Sequence, residues 1–244
     1  MAKTETGFLD RIVKSGGKNY RFSVYIPLGW TPKKKWPVVL FLHGGGEGGT
    51  DGLKSTLIGL PTAIRQNRDR FPCVVVSPQC LRKHNWNEPK MIDQALAALE
   101  QSVREFHGDR KRLILTGLSM GGYGSWAILP KHPNLFAAAA IICGGIRPPD
   151  WVLKQRGIPL STPMDHLYVK TAQGIRKGMP IWVFHGDRDG AVPVTESRRM
   201  VKELSKLKKR VFYTEYKGVG HNSWDLAYDD KVFIGKLLSQ KLSN

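Results

Sequence analysis

A serine, a carboxylate and a histidine, the residue types that together make a serine hydroxyl nucleophilic, occur in this chain in an order that suits covalent catalysis. Ser119 lies in Gly117-Leu118-Ser119-Met120-Gly121-Gly122, between the apolar run Leu113-Ile114-Leu115 and a helix-like stretch over 123–129. This is a G-x-S-x-G pattern in a strand, sharp turn, helix context, which holds a serine hydroxyl exposed for attack. The glycines suit a tight, strained turn where side chains would block both backbone and substrate. Serine is a weak nucleophile until a base removes its proton. Histidine is the side chain suited to taking that proton and returning it, and His221 stands in Gly218-Val219-Gly220-His221-Asn222-Ser223-Trp224. Between the two, His185-Gly186-Asp187-Arg188-Asp189 starts at a strand end and supplies two carboxylates, Asp187 and Asp189. One of them is expected to fix the histidine tautomer and stabilise the imidazolium. Asp225 follows His221 too closely to orient it. An oxyanion would meet the Met120 amide and an amide of His43-Gly44-Gly45-Gly46, taken as that of Gly45. Each such donor is worth on the order of 3 kcal/mol of barrier.

Positioning these groups needs a sheet whose strands end along one edge. Residues 9–26 alternate apolar and polar, as in Tyr20, Phe22, Val24 and Ile26, which predicts antiparallel edge strands exposed on one side. The runs 37–42, 73–78, 112–116 and 180–185 are nearly all apolar and read as buried strands, with 211–216 as a further strand. Residues 136–143 fit helix or strand by periodicity, and their place after a helix favours strand. Residues 91–106 carry Ile92, Ala95, Leu96, Leu99, Val103 and Phe106 on one helical face. Helices are also expected over 193–207 and 224–238. Strands alternating with helices imply an α/β fold with a parallel sheet covered on both faces. The segment 144–179 is irregular, with Pro148, Pro149, Pro159 and Pro163. A loop of that length is usually functional, and its place in the chain would let it lean over the strand ends.

At 244 residues the chain is long enough for one sizeable domain and short for two. No run of about 18 apolar residues is present, so no transmembrane helix is expected. The polar start, Met1 to Thr6, lacks an apolar signal core. As written the chain is expected in the cytoplasm, and secreted or periplasmic if a leader has been removed. The three cysteines argue against a disulfide framework; Cys73 and Cys143 read as buried thiols. No cysteine pair or histidine cluster has metal-ligand spacing. The formal net charge of +18 is unusual. Its lysines and arginines are scattered and not interleaved with aromatics, so a solvated basic surface is expected and no specific nucleic-acid partner.

The motifs together resemble the α/β-hydrolase superfamily. More narrowly the chain is similar to small bacterial carboxylesterases of the dienelactone-hydrolase-like or predicted-peptidase group, which includes feruloyl-esterase-like enzymes. The resemblance rests on Leu42-His43-Gly44-Gly45-Gly46-Glu47, Ser77-Pro78-Gln79-Cys80, the Ser119 motif through Gly124, residues 180–193, and Gly220-His221-Asn222-Ser223-Trp224. It implies a single domain over 1–244 with a lid- or cap-like insertion at 144–179. The fold implied is a mostly parallel sheet flanked by helices, with antiparallel N-terminal strands. It implies Ser119, Asp189 and His221 as the catalytic set, since His-Gly-x-x-Asp-x-x-Val-Pro selects Asp189 over Asp187. It also implies ester hydrolysis through an acyl-enzyme, on short-chain acyl or hydroxycinnamoyl esters, free or attached to polysaccharide, with no metal or organic cofactor. A serine peptidase of the prolyl-oligopeptidase type is the alternative, because both reactions use the same triad. A non-catalytic basic binding module on a hydrolase scaffold is an alternative of another class.

Beyond the triad, Trp86, Trp224 and Trp151 are candidate walls of an aromatic cleft, and Gln79 is a candidate substrate contact. His43 and His185 both end strands and read as structural, bonding nearby loop backbone. Tyr123 and Trp126 fall on the helix after Ser119 and read as packing residues.

Overall fold

The computed structural model describes residues 5–242, apart from the side chain of Trp151. Most of the polar start considered above, residues 1–4, therefore lies outside it. Eight strands form one sheet: β1 (Gly7–Ser15), β2 (Lys18–Ile26), β3 (Trp36–Leu42), β4 (Val74–Pro78), β5 (Gly108–Leu118), β6 (Ala138–Ile142), β7 (Ile181–Gly186) and β8 (Val211–Tyr216). Their order is β1-β2-β4-β3-β5-β6-β7-β8. β1 and β2 pair antiparallel, as do β2 and β4, and all other pairs are parallel. β1 and β2 turn on Gly16-Gly17, both at positive φ (52° and 77°), the backbone that a two-residue hairpin with strand-compatible twist requires. The sequence placed both of these strands at the edge. Of the two, β1 is at the edge, whereas β2 is covered by β1 and β4, and Phe22 to Ile26 are buried.

The helices are α1 (Leu60–Gln66), α2 (Pro89–Glu105), α3 (Met120–Ile128), α4 (Asp150–Gln155), α5 (Asp165–Gly174), α6 (Thr195–Lys206), α7 (Trp224–Asp229) and α8 (Lys231–Leu238). Because side chains alternate along a strand, each buried strand feeds two cores. Val38, Leu40 and Leu42 face a core with Met91 to Val103 of α2, Trp126 of α3, Tyr168 and Ala172 of α5, and Met200 and Leu204 of α6. Val39 and Phe41 face the other core, with Leu60 and Ile64 of α1, Tyr228 of α7, and Phe233 and Leu237 of α8. No helix among the described residues is long and apolar enough to cross a membrane.

Two expectations are corrected here. The single helix expected over 224–238 is two, broken at Asp230, whose carboxylate accepts from the amides of Val232 and Phe233 and caps α8. The segment 144–179 is not irregular throughout: it contains α4 and α5, and from Tyr168 onward it contributes buried residues to the core. Its first part is pinned by Glu196 of α6, which accepts from the amides of Ile146 and Arg147 and from the Tyr168 hydroxyl.

Parallel strands end together, and this edge collects the groups read from the sequence. β3 runs into His43-Gly44-Gly45, β5 into Ser119, β6 into Cys143, β7 into Asp189, and β8 leads to His221.

Candidate active site

Ser119 occupies the turn between β5 and α3 with φ 52° and ψ −118°, in the region that L-residues rarely adopt. Its amide donates to the Ile142 carbonyl at 2.9 Å, which fixes the turn to β6. Glycine at 117 and 121 is a requirement of space. A methyl on Gly121 would run into the Leu42 carbonyl and come within 2.8 Å of the His43 oxygen, and one on Gly117 would meet the Gly121 carbonyl. The strained turn is thus over-determined by its neighbours, which is how such a conformation persists.

His221, reaching back from the loop after β8, places Nε2 2.9 Å from Ser119 Oγ. Its Nδ1 lies 2.7 Å from Asp189 Oδ2. The imidazole is partly exposed, at 27%, while the Asp189 carboxylate is fully covered. The Ala191 and Val192 amides donate to its Oδ1 at 2.8 and 2.9 Å. Burial alone would raise the Asp189 pKa; hydrogen bonds from His185, His221, Val192 and Ala191 outweigh it and hold the carboxyl well below its ordinary range. An ionised Asp189 can only accept, so Nδ1 of His221 carries hydrogen and Nε2 is left to accept from the serine. The other carboxylates are occupied elsewhere. Asp187 accepts from the Gly218 amide at 2.6 Å, and Asp225 pairs with the Asn222 side chain.

The His43–Gly46 turn lies against the nucleophile: a methyl on Gly44 would stand 3.9 Å from Ser119 Cβ. Gly45 begins a short 3-10 turn and is exposed, and Met120 is the first residue of α3. Amides in the first turn of a helix have no partner within it, so both can serve an incoming anion. His43 itself is fully buried. Its Nε2 accepts from the Cys80 amide at 3.0 Å, and Nδ1 donates to the Gly44 oxygen at 2.6 Å. Burial pushes its pKa down to about 4, so it stands neutral as a strut of this turn.

Two candidate substrate contacts are corrected. Trp86 is fully buried; its Nε1 donates to the His43 carbonyl at 3.0 Å and its ring meets the His43 ring edge-on at 5.0 Å. It braces the turn from behind and forms no wall of the cleft. Gln79 is 1% exposed, and both ends of its amide are used, accepting from the Gly52 amide and donating to the Glu47 oxygen. It ties the 47–52 loop to the end of β4. Trp224 is half-buried, with its ring perpendicular to that of His221 at 5.4 Å. The Trp151 side chain lies outside the described structure. Trp126 is buried as a packing residue, whereas the Tyr123 hydroxyl reaches the neighbourhood of Gly145 and Glu196.

Cys143, a buried thiol with no motif of its own in the sequence, also lies at this site. It follows β6, between Ser119 and Asp189, with φ 41°, and its Sγ, a carboxylate oxygen of Asp189 and a ring nitrogen of His221 lie within 4.8 Å of one another. Among the described residues this is the one cluster with metal-ligand geometry. Asp189 and His221 are committed to each other, however, and burial pushes the thiol pKa up to about 12, away from the thiolate that metals bind.

Residues 82–233, more than half of the chain, match the prolyl oligopeptidase family. The chain belongs to that family. Among solved structures, this prolyl oligopeptidase family chain is similar to a thermostable esterase, at 32% identity and a TM-score of 0.75 over 96% of this chain and 63% of that one. A ferulic acid esterase shares the fold at 16% identity, with a TM-score of 0.72 over 95% of this chain and 98% of its own. Among curated proteins, esterase LipC of Mycobacterium tuberculosis is 24% identical over 221 residues, 78% of this chain and 54% of that protein. The chain thus spans about half to two thirds of the length of these first relatives, the ferulic acid esterase apart. The family fold is an α/β hydrolase: a mostly parallel sheet with helices on both faces.

Proposed function

We propose that this chain hydrolyses carboxylic esters through an acyl-enzyme. The observation that carries the proposal is the unbroken hydrogen-bond line from Ser119 through His221 to a buried Asp189, with Ser119 held on a strained turn. Ser119 Oγ attacks the acyl carbon as His221 Nε2 takes its proton. The negative charge that forms on the carbonyl oxygen is met by the amides of Met120 and Gly45. The imidazolium, stabilised by Asp189, returns the proton to the departing alkoxide, and an alcohol leaves. Water then repeats the sequence on the acyl-serine and releases the acid. The reaction balances without a metal or organic cofactor.

Short-chain acyl or hydroxycinnamoyl esters, free or carried on polysaccharide, are the substrates that fit. Trp224, an aromatic ring edge-on to His221 at 5.4 Å, supports the hydroxycinnamoyl reading. The likeness to a thermostable esterase favours esters over peptides. The family's own description keeps a peptidase as the second reading, since the triad serves amides equally.

A panel of p-nitrophenyl butyrate, methyl ferulate and blocked prolyl peptides tests both. Turnover of the esters that disappears in Ser119→Ala supports the proposal, and faster turnover of the peptides would replace it with the peptidase reading. Methyl ferulate turned over no faster than an acetyl ester of equal reactivity would remove the hydroxycinnamoyl suggestion.

A further inference from the structure

Oδ2 of Asp189 has two histidine partners. Besides His221 Nδ1 at 2.7 Å, it lies 3.1 Å from Nε2 of His185. His185 closes β7 four residues before the acid and is fully buried. Its Nε2 also faces the Val192 carbonyl at 2.9 Å, and its Nδ1 faces the buried Ser197 hydroxyl of α6 at 2.7 Å. A carbonyl and an ionised carboxylate can only accept, so the hydrogen sits on Nε2 and is shared between them.

Asp189 is therefore held on both oxygens. Two loop amides fix Oδ1, and His185 gives Oδ2 a partner that belongs to the rigid sheet. Without it, Oδ2 would keep only His221, the partly exposed group that the acid is there to orient. No solvent reaches the carboxylate side chain to substitute for the lost donor. The other ionisable groups that act on the pair are Cys143 and Tyr123, which act on Asp189, and Glu215, which lies opposite His185 on β8 and is bound to Arg198.

We infer that His185 is a positioning residue: its Nε2–H keeps Asp189 Oδ2 aimed at His221 Nδ1. This rests on the serine-hydrolase reading above. It assigns a role in the reaction to a histidine that touches neither substrate nor nucleophile.

The test compares His185→Phe and His185→Gln with the unaltered enzyme on p-nitrophenyl acetate, with active sites counted by phosphonate titration. His185→Phe keeps a ring but loses the hydrogen. Its kcat per active site should fall by about tenfold or more, the scale of one hydrogen bond to a charged group, with KM nearly constant. The acid limb of kcat/KM should move to higher pH, because a carboxylate with one donor fewer pulls harder on the Nδ1 hydrogen and makes His221 more basic. His185→Gln places an amide N–H near the Nε2 position and should recover most of both effects. Ser197→Ala, which loosens only the Nδ1 side, should show a smaller loss in the same direction and keeps the test open if the Phe variant fails to fold. A lowered Tm with unchanged kcat per active site and an unmoved limb would overturn the role, as would a Gln variant no better than Phe. Full activity in Ser119→Ala would instead sink the hydrolase reading; an inactive Ser119→Ala beside an unimpaired His185→Phe would sink only this one.

Discussion

At the scale of single residues, chain order and residue type made the serine, the carboxylate and the base legible, because that chemistry allows few substitutes at those points. What could not be read was which way side chains face. Trp86 and Gln79 lie in loops after strands, where contact with substrate is common, yet both turn inward, Trp86 to brace the His43 turn and Gln79 to tie down the 47–52 loop. The two aspartates of the β7 loop separate by partner: Asp189 meets His221 and Asp187 meets the Gly218 amide. Asp189→Asn should lower kcat by about 10⁴, the effect of holding the histidine in the wrong tautomer, whereas Asp187→Asn should leave kcat within a few-fold and lower Tm. Equal losses in the two variants would contradict this division. Burial also sets an acid limit on stability. His43 is lowered to about 4 in the folded chain, so between about pH 6.5 and 4 the unfolded chain binds more protons and stability falls as pH falls, by about 3 kcal/mol at full extent. Asp189, also depressed, adds stability above about pH 4 that is lost on further acidification. Urea midpoints measured from pH 7 to 4 should drop, and His43→Gln should flatten that slope; an unchanged slope would remove His43 as the cause.

Elements with one clear period were read well: the apolar runs became strands, and the amphipathic stretch before β5 became α2. The failures have local causes. Asp230 breaks the last helix through a capping bond that periodicity does not register, and the prolines of 144–179 masked α5, whose helical stretch lies beyond them. The β5–α3 turn is the most tightly enclosed element of the site, since backbone from β3 and α3 closes on it. Gly121→Ala should therefore cost stability and activity together, because its methyl would push against the Leu42 and His43 carbonyls and displace the oxyanion turn. We expect a Tm lower by several degrees and a kcat at least tenfold down, read by calorimetry and ester assay. Gly45, with open space around it, should accept alanine at little cost in Tm.

For the whole molecule, the parallel sheet with its two cores follows from strands apolar on both faces. The excess of positive charge had no such structural reading. A net charge of +18 makes a long-range field that favours anionic substrates and is screened by salt. Raising ionic strength from about 10 mM to about 0.5 M should lower kcat/KM for a carboxylate-bearing ester severalfold and leave a neutral ester nearly unchanged. Equal salt dependence for both would mean that the charge plays no part in substrate capture.

If the proposed reaction is the one this chain performs, one serine becomes covalently bound during it. Incubation with diethyl p-nitrophenyl phosphate followed by intact and peptide mass analysis tests it directly. One diethylphosphoryl adduct per chain is expected, on Ser119, appearing in step with loss of ester hydrolysis and absent from Ser119→Ala. Inactivation with the adduct on another residue, or ester turnover that persists in Ser119→Ala, would contradict it.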